Sequence, residues 1–400
     1  MTAEFYLLDL SGDKLLESCL AAERTAAKKL ISFAARFNLH GDIFKAYLSY
    51  LLIREENPYA LQCERGKVPH RSLEETALKD AEKLFSLFND PSVCARLLPE
   101  LANWKGESQT DKYYAEAGEV IASFTKKLSA AKDPASFLRA CRQHYLSHGA
   151  GECALDHAFR LKEDSSDIEP IILGEMKRMS DLVGLEMQKE ALMGNTRAFV
   201  EGKGGVNVLL YGNGGTGKTT SVKALLSEFS GKRLKMIEIY KHQFKYLNAL
   251  ISRIKHRGYK YILFLDDLSF EDSEVEYKYL KTIIEGGLEP RPDNVLIYAT
   301  SNRRHLIRES WKDREESDDM HAGDTVEEKL SLVKRFGLTL YYPSPDQKEY
   351  LNIVRTLAER EGIKPSDALE QAALVWQRRE GGMSGRTAEQ FLMIGEKQKR

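Results

Sequence analysis

The sequence has few of the features that mark an exported or membrane-spanning protein. It contains only five cysteines, an odd number scattered between Cys19 and Cys153, which is typical of reduced thiols rather than of a disulfide framework. No apolar run approaches the roughly 18 residues of a membrane span. Residues 1–14 carry acids where a signal peptide would carry bases. We therefore expect a cytoplasmic protein with no membrane contact.

A net charge of one sign is also missing. The chain has 59 Lys and Arg against 60 Asp and Glu, so its overall charge does not indicate a nucleic-acid or membrane partner. A local excess occurs in residues 232–260, where nine Lys and Arg accompany a single acid, Glu238. This stretch is either a contact face for a nucleic-acid backbone or a solvated face whose charge is offset by acids elsewhere. We favour the second interpretation.

A glycine-rich loop lies near the middle of the chain. The apolar run 206–211 is short enough for a buried parallel strand, and residues 221–229 place apolar side chains at helical spacing. Between them the sequence matches the phosphate-binding pattern G-x-x-x-x-G-K-[ST] without a gap. We predict a nucleotide-binding loop formed by Gly212, Asn213, Gly214, Gly215, Thr216, Gly217, Lys218, Thr219 and Thr220.

Each residue type in this loop has a chemical use. Glycines let successive backbone N–H groups turn toward a phosphate, and the helix that begins near Lys218 adds unpaired N–H groups. Lys218 can reach the β- and γ-phosphates, and the Thr219 hydroxyl can coordinate Mg²⁺. A glycine turn that merely joins a strand to a helix would need neither the lysine nor the threonine.

Polar residues follow two further strand-like runs. The run YILFLDD ends in Asp266 and Asp267, and the run VLIYAT is followed closely by Asn302. In open α/β sheets, ligands bind at the carboxyl ends of parallel strands, which places these residues beside the loop. We expect Asp266 to hold Mg²⁺, Asp267 to polarise the attacking water, and Asn302 to orient that water or contact the γ-phosphate. The alternative for all three is a helix cap or a turn.

The remaining sequence has helical patterns at both ends. Residues 1–165 repeat apolar positions at spacings of three and four, with Asn-Pro and Asp-Pro breaks between them, and the pattern returns after residue 346. Residues 158–180 are charged and then extended, and we interpret them as a linker. One cluster has the residue types that bind zinc, but its spacings fit no standard zinc pattern, so we favour core cysteines and surface histidines. It consists of Cys141, His144, His148, Cys153 and His157.

The order of these pieces resembles that of the AAA+ ATPases. It is most similar to a bacterial family of predicted AAA+ ATPases with a helical N-terminal region, domain of unknown function 815. The likeness covers about residues 140–400 and is strongest at YGNGGTGKTT, FLDDLSFE, PDNVLIYATSNRRHL, EEKLSLVKRFGL and GGMSGRTAEQF. It implies an α/β protein with an all-helical N-terminal domain at 1–165, a P-loop AAA+ core with a five-stranded parallel sheet at 166–345, and a helical lid at 346–400.

The resemblance also implies roles for particular residues. The loop would be the Walker A motif, Asp266 and Asp267 the Walker B motif, and Asn302 sensor 1. Three further assignments come from the resemblance: Arg335 as an arginine finger, Arg386 as sensor 2, and Val183 and Gly184 in the segment that lines the adenine pocket. The alternative for Arg335 is a surface arginine preceding a core phenylalanine. Most AAA+ ATPases have Glu at the second Walker B position, and the shorter Asp267 leaves the turnover rate open.

The expected function follows from these assignments. We expect an ATP hydrolase that uses Mg·ATP to drive a conformational change in an unidentified protein client. The resemblance implies a homo-oligomer, with nucleotide-dependent assembly as one option. Two alternatives remain: a DNA-associated remodeller or loader that uses residues 232–260, and a nucleotide-gated switch with little turnover.

Overall fold

The structure, a computed structural model, describes residues 5–106, 114–172, 176–268, 276–285, 292–302 and 333–395. Parts of three of the resemblance motifs, at 269–271, 303–306 and 327–332, lie outside the described residues. Internal contacts divide the chain into two compact units. The first consists of the described parts of Met1–His157, Pro170–Gly174 and His256–Tyr259, and the second of those of Ala158–Glu169, Glu175–Lys255 and Lys260–Arg400.

The first unit is helical, as the sequence predicts. Its Asn-Pro and Asp-Pro pairs begin helices: the Asn57 side chain accepts a hydrogen bond from the Ala60 N–H at 2.9 Å, and Asp133 accepts one from Ser136 at 2.8 Å. A proline in the first helical turn loses nothing, because its missing N–H would have no partner there. The helices are Lys14–Leu20 (α1), Arg24–Phe37 (α2), Ile43–Arg54 (α3), Pro58–Glu64 (α4), Arg71–Phe88 (α5), Ser92–Leu97 (α6), Ala115–Ser129 (α7) and Pro134–His148 (α8).

The core of this unit surrounds α3. That helix is buried on nearly all its faces, which is the behaviour of a helix that is apolar all round. Aromatic rings of α2 and α3 pack against each other. The Phe33 ring centroid of α2 lies 5.2 Å from those of Tyr47 and Tyr50 of α3. The first unit therefore has a hydrophobic core of its own.

The cysteine and histidine cluster has no metal-binding arrangement. Among the described residues, no group of three or more His, Cys, Asp and Glu side chains could hold a metal ion. The five cysteines of the chain are buried thiols, as expected. His144 corrects the expectation of surface histidines: it is 1% exposed and stacks on Phe124 with centroids 4.1 Å apart. Burial lowers the pKa of His144 to about 3, so this ring is neutral at ordinary pH.

The second unit is built on a largely parallel sheet. Its strands are Ala158–Leu161 (β1), Ile168–Pro170 (β2), Val208–Gly212 (β3), Leu234–Glu238 (β4), Lys260–Leu265 (β5), Val295–Ser301 (β6) and Leu338–Tyr342 (β7). The strand order is β2-β1-β4-β5-β6-β3-β7, and from β1 to β7 each strand pairs in parallel with the next in this order. Strands β5 and β6 are almost entirely buried, which accounts for their continuous apolar sequences.

Within the described ranges the sheet has seven strands rather than the five expected. The two additional strands, β1 and β2, come from residues interpreted as a linker. Their sequences do not have the continuous apolar pattern of a buried strand. Strand β1 contains an exposed arginine, and β2 is only three residues long and ends in proline. The expected P-loop α/β fold is otherwise confirmed, with β3 lying between β6 and β7.

Helices accompany the strands and follow them at the end of the chain. Those after residue 346 begin at capping side chains, Asp346, Ser366 and Ser384, and share a small apolar core around Tyr350 and Phe391. The boundaries of a core at 166–345 and a lid at 346–400 remain a prediction. The helices of this unit are Glu186–Val200 (α9), Lys218–Glu228 (α10), Leu247–Ile254 (α11), Glu276–Glu285 (α12), Gln347–Arg360 (α13), Asp367–Arg379 (α14) and Gly385–Gln390 (α15).

Within the described ranges, we find no helix that combines the length and the apolar character needed to cross a membrane.

Candidate functional site

The glycine loop follows β3 and leads directly into α10. Gly212, Gly215 and Gly217 all have positive φ angles, of 141°, 75° and 96°, which side chains rarely tolerate. A Cβ on Gly212 would lie 2.1 Å from the carbonyl oxygen of Tyr342 on the neighbouring strand. The backbone path of the loop therefore requires glycine at the end of β3.

The Lys218 side chain folds back over the loop. Its Nζ donates to the carbonyl oxygens of Gly212 at 3.0 Å and Asn213 at 2.7 Å, and the residue is 5% exposed. Burial lowers the pKa of Lys218, while the nearby carboxylates of Asp267 and Asp266 act in the opposite direction. The Lys218 ammonium group is thus hydrogen-bonded to two carbonyl oxygens of the loop, which a bound anion could replace.

Asp266 directly follows β5 and accepts hydrogen bonds from two hydroxyl groups, one in the loop and one in β6. Its Oδ1 accepts hydrogen bonds from Thr219 Oγ1 at 2.7 Å and from Thr300 Oγ1 at 2.6 Å. Strand register explains the meeting, because β6 lies between β5 and β3, with Leu265 opposite Ala299 and Tyr211 opposite Ser301. The predicted proximity of Thr219 and Asp266 is therefore present in the fold.

Asp267 is held by the end of β6. Its side chain accepts a hydrogen bond from Asn302 Nδ2 at 2.7 Å, and its backbone N–H donates to Thr300 Oγ1 at 2.9 Å. The residue has a φ of +54°, a left-handed conformation that aspartate tolerates better than most residues. Hydrogen bonds with the end of β6 therefore fix the positions of both Asp266 and Asp267.

These groups border one cavity of about 860 Å³, a volume suited to a nucleotide-sized ligand. Both polar and apolar side chains line it. Ile353 and Leu357 of α13 contribute apolar surface together with Leu182 and Val183. The predicted site residues that line the cavity are Val183, Gly184, Gly214, Gly215, Thr216, Gly217, Lys218, Thr219, Thr220, Asp266, Asp267, Asn302 and Arg386.

Comparison with known proteins assigns the family. The family model described as "Protein of unknown function (DUF815)" matches residues 154–397, which is more than half of the chain and includes the whole cavity. The chain belongs to the DUF815 family. Among curated proteins, none matches this DUF815 chain.

Solved structures similar to the DUF815 chain include a branch migration motor and two ORC proteins. The RuvB Holliday junction branch migration motor of Thermotoga maritima has 19% identity, with 53% of this chain and 61% of that one covered and a TM-score of 0.36. Two Aeropyrum pernix proteins have TM-scores of 0.41: ORC2, with 17% identity and 57% and 66% coverage, and ORC1 in complex with DNA, with 20%, 55% and 62%.

The match spans less than two thirds of the length of each of these structures. Their low TM-scores give no support to any particular activity. The P-loop α/β fold of the DUF815 chain is shown instead by the parallel sheet and by the glycine loop at the end of β3.

Three predicted site residues do not line the cavity. Gly212 and Asn213 lie behind it, where their carbonyl oxygens accept the Lys218 bonds, and Asn213 Nδ2 donates to Ser344 Oγ at 2.5 Å. Arg335 is exposed and precedes the buried Phe336, and it does not border the cavity of its own chain. This position is consistent both with a surface arginine and with one that serves another subunit.

Several cations of the basic stretch 232–260 pair with acids from distant parts of the sequence. Two of these pairs lie within the second unit: Arg253 lies 2.7 Å from Asp167, and Lys245 lies 3.9 Å from Asp164. Arg257 belongs to the first unit, where it pairs with Glu64 at 2.9 Å. These pairings support the interpretation of offset charge.

Sequence reasoning missed Thr300, which contacts both aspartates. It is 2% exposed, and its hydroxyl donates to Asp266 while accepting from the Asp267 backbone. The only available signal was a polar residue inside an otherwise apolar strand two positions before Asn302. The cavity-lining Lys177, Glu349, Asn352 and Glu389 were also missed, because they come from segments with no recognisable motif.

Proposed function

We propose that this DUF815 protein binds Mg·ATP in the cavity and hydrolyses it. One observation carries the proposal: the loop lysine, the loop threonine and two strand-end aspartates meet in one nucleotide-sized cavity. A glycine loop that served only as a connection would not require these groups to converge. The same groups are those that phosphoryl-transfer sites use to bind phosphates and a metal ion.

The donor set around Asp266 fits magnesium. Mg²⁺ prefers oxygen ligands and is commonly held by one or two carboxylates together with substrate phosphates and waters. Thr219 and Asp266 supply a hydroxyl and a carboxylate, whose oxygens are 2.7 Å apart. Bound there, the metal ion would neutralise charge on the phosphate oxygens.

The other residues have separable tasks in this proposal. Lys218 exchanges its carbonyl partners for the β- and γ-phosphates. Their negative charge then stabilises the buried ammonium group. Asp267 accepts the hydrogen of the attacking water, and Asn302, now 2.7 Å from that carboxylate, orients the water or contacts the γ-phosphate. Arg386 lines the cavity next to the loop and contacts phosphate, while Val183 and Gly184 contact the base.

We further propose that the chain works as a homo-oligomer on a protein client. Arg335, which does not border its own cavity, would reach the nucleotide of a neighbouring copy. Nucleotide turnover would then move the lid at 346–400 and, through it, the client. A cytoplasmic location and nucleotide-dependent assembly belong to the same proposal.

The Lys218→Ala variant tests the site. We expect loss of at least about 100-fold in ATP turnover, because the variant removes a cation that contacts the transferred phosphate. Lys223→Ala is the matched control, since Lys223 lies on the same helix with a half-exposed side chain 3.9 Å from Glu238. Equal turnover in both variants and the unaltered chain, measured by phosphate release, would refute the site.

A nucleotide-gated switch is the second candidate. One observation favours it: the Asp267 carboxylate is one methylene shorter than the usual glutamate and is already engaged by Asn302. In that case the unaltered chain binds Mg·ATP tightly, hydrolyses it negligibly even at high protein concentration, and loses binding in Lys218→Ala.

A further inference from the structure

One wall of the cavity is formed by an irregular stretch of chain, residues 177–184. Lys177 and Asp181 to Gly184 line the cavity, yet apart from a 3-10 turn at Met179–Asp181 the stretch has no regular structure. Irregular backbone keeps a fixed position only where neighbouring groups satisfy its carbonyl and N–H groups. The groups that hold this wall therefore decide the shape of the cavity at this side.

Arg360 holds the wall from the end of α13. Its Nη1 donates to the Asp181 carbonyl oxygen at 2.7 Å, and its Nη2 donates to the Ser180 carbonyl oxygen at 2.9 Å. The planar guanidinium can grip two successive carbonyls at once, which an ammonium group cannot do with the same geometry. Ile353 and Leu357, which also line the cavity, are on the same helix.

A second attachment joins the wall to α15. Lys177 Nζ forms an ion pair with Glu389 Oε1, and both residues line the cavity. Glu389 lies one helical turn after Arg386, which borders the cavity beside the phosphate loop. The two side chains are partly exposed, so this pair alone contributes little to stability.

The other side of the wall is attached to the helices that flank the loop. The Met179 N–H donates to Glu228 of α10 at 3.0 Å, and Lys189 of α9 donates to the Leu182 carbonyl oxygen. The wall therefore bridges α9 and α10 on one side and α13 and α15 on the other. The position of the wall beside a bound ligand therefore depends on both sets of attachments.

We propose that Arg360 is a positioning residue that fixes this wall against α13, assisted by the Lys177–Glu389 pair, and so sets how long a nucleotide stays bound. The inference rests on the proposed function, because it assumes that the cavity takes a nucleotide. Arg360 does not border the cavity, so it acts through the residues whose carbonyls it holds. Loss of its grip should speed nucleotide release while leaving the phosphate chemistry at Lys218 and Asp266 intact.

Arg360→Met tests this role, because it keeps the length of the side chain and removes both donors. With Mg²⁺ and N-methylanthraniloyl-ADP as the probe, we expect about a tenfold faster dissociation in stopped flow, the size of effect that a lost charged hydrogen bond produces. We also expect a higher KM for ATP with little change in kcat. Arg360→Lys, which can hold one carbonyl, should fall between the variant and the unaltered chain.

Arg355→Met is the matched control. Arg355 is on the same helix, is similarly exposed, and pairs with Glu370 rather than with the wall. If Arg360→Met and Arg355→Met release the probe at the same rate, the inference is wrong while the proposed function stands. If the unaltered chain fails to bind the probe, the proposed function fails and the inference fails with it.

The ion pair allows an independent test by charge exchange. Lys177→Glu and Glu389→Lys should each speed release about two- to fivefold, as expected for an exposed pair. The double variant restores an attraction with its sign reversed, so it should return release toward the rate of the unaltered chain. A double variant that releases the probe faster than either single variant would contradict a role for the pair.

Discussion

At the residue scale, the buried hydroxyl of Thr300 holds both aspartates of the site. It donates to Asp266 at 2.6 Å and accepts from the Asp267 N–H at 2.9 Å, so one side chain fixes the direction of one carboxylate and the backbone of the next. Asp266 receives a second hydroxyl from Thr219. Two hydroxyl groups therefore orient the Asp266 carboxylate, which would lower the free energy needed to organise the proposed metal site.

Thr300→Val should weaken metal use rather than nucleotide contact. The substitution keeps the shape of the side chain and removes a hydrogen bond to a charged group, which is worth about 1.5–3 kcal/mol. We expect about a tenfold or larger fall in ATP turnover and a higher Mg²⁺ concentration at half-maximal rate. Titration of turnover with Mg²⁺ measures both.

Thr300→Ser provides the control, because serine retains the hydroxyl and should recover most of the activity. An unchanged Mg²⁺ dependence in Thr300→Val would show that Asp266 does not depend on this contact.

The loop residues that the sequence identified differ from Thr300 in one physical respect. Lys218 and Thr219 act at fixed separations along a single loop, so their spacing alone carries the signal. Thr300 acts across strands, and its contact with Asp266 exists only because β6 is placed between β5 and β3 in one register. Strand order and register are not available from a single sequence.

At the element scale, the connection from β3 to α10 determines the shape of the phosphate loop. Gly212 pairs with Tyr342 of β7 and has a φ of 141°, so the strand ends in a conformation and a contact that both exclude a Cβ. Gly214 differs, because a Cβ there would meet nothing within 4 Å. Gly212 and Gly214 therefore belong to the same loop, but of these two only Gly212 lacks room for a side chain.

Gly212→Ala should therefore destabilise the protein, whereas Gly214→Ala should not. Strained backbone of this kind costs about 1–3 kcal/mol, and the clash with the Tyr342 carbonyl adds to it. Urea denaturation of the two variants measures the difference in the free energy of unfolding. Equal stability would mean that β3 and β7 separate at little cost.

Strands β1 and β2 mark the limit of sequence reasoning at this scale. The central strands were predictable because burial on both faces demands continuous apolar sequence. Strands β1 and β2 are short and carry polar residues, so they resemble a linker. For residues 232–260 the sequence favoured offset charge but could not name the partners, since Asp164 and Asp167 lie far away in sequence.

At the scale of the whole molecule, Arg335 raises the question of assembly. It is exposed, precedes a buried phenylalanine, and does not border the cavity of its own chain. An arginine supplied by a neighbouring copy would complete the site only in an oligomer. A surface arginine with no such role would leave turnover independent of protein concentration.

A mixing experiment separates these possibilities. Arg335→Ala should keep nucleotide binding and lose about 10³-fold or more in turnover, the size of effect seen for arginine fingers. Lys218→Ala should be inactive but still carry Arg335. If the arginine acts on a neighbour, a mixture of the two variants regains turnover, because some Arg335→Ala sites then face an intact arginine. If the mixture turns over ATP no faster than the sum of the two separate variants, Arg335 does not act on a neighbouring copy.

The central claim is that the loop after β3 holds a triphosphate and that Asp266 and Thr219 hold its metal ion. The most direct measurement is a crystal structure of the protein with Mg²⁺ and a non-hydrolysable ATP analogue. We predict phosphate oxygens against the backbone N–H groups of residues 214–219, Lys218 moved from the Gly212 and Asn213 carbonyls to the phosphates, and the metal ion beside Thr219 and Asp266. An analogue bound elsewhere, with Lys218 still on those carbonyls, would contradict the account.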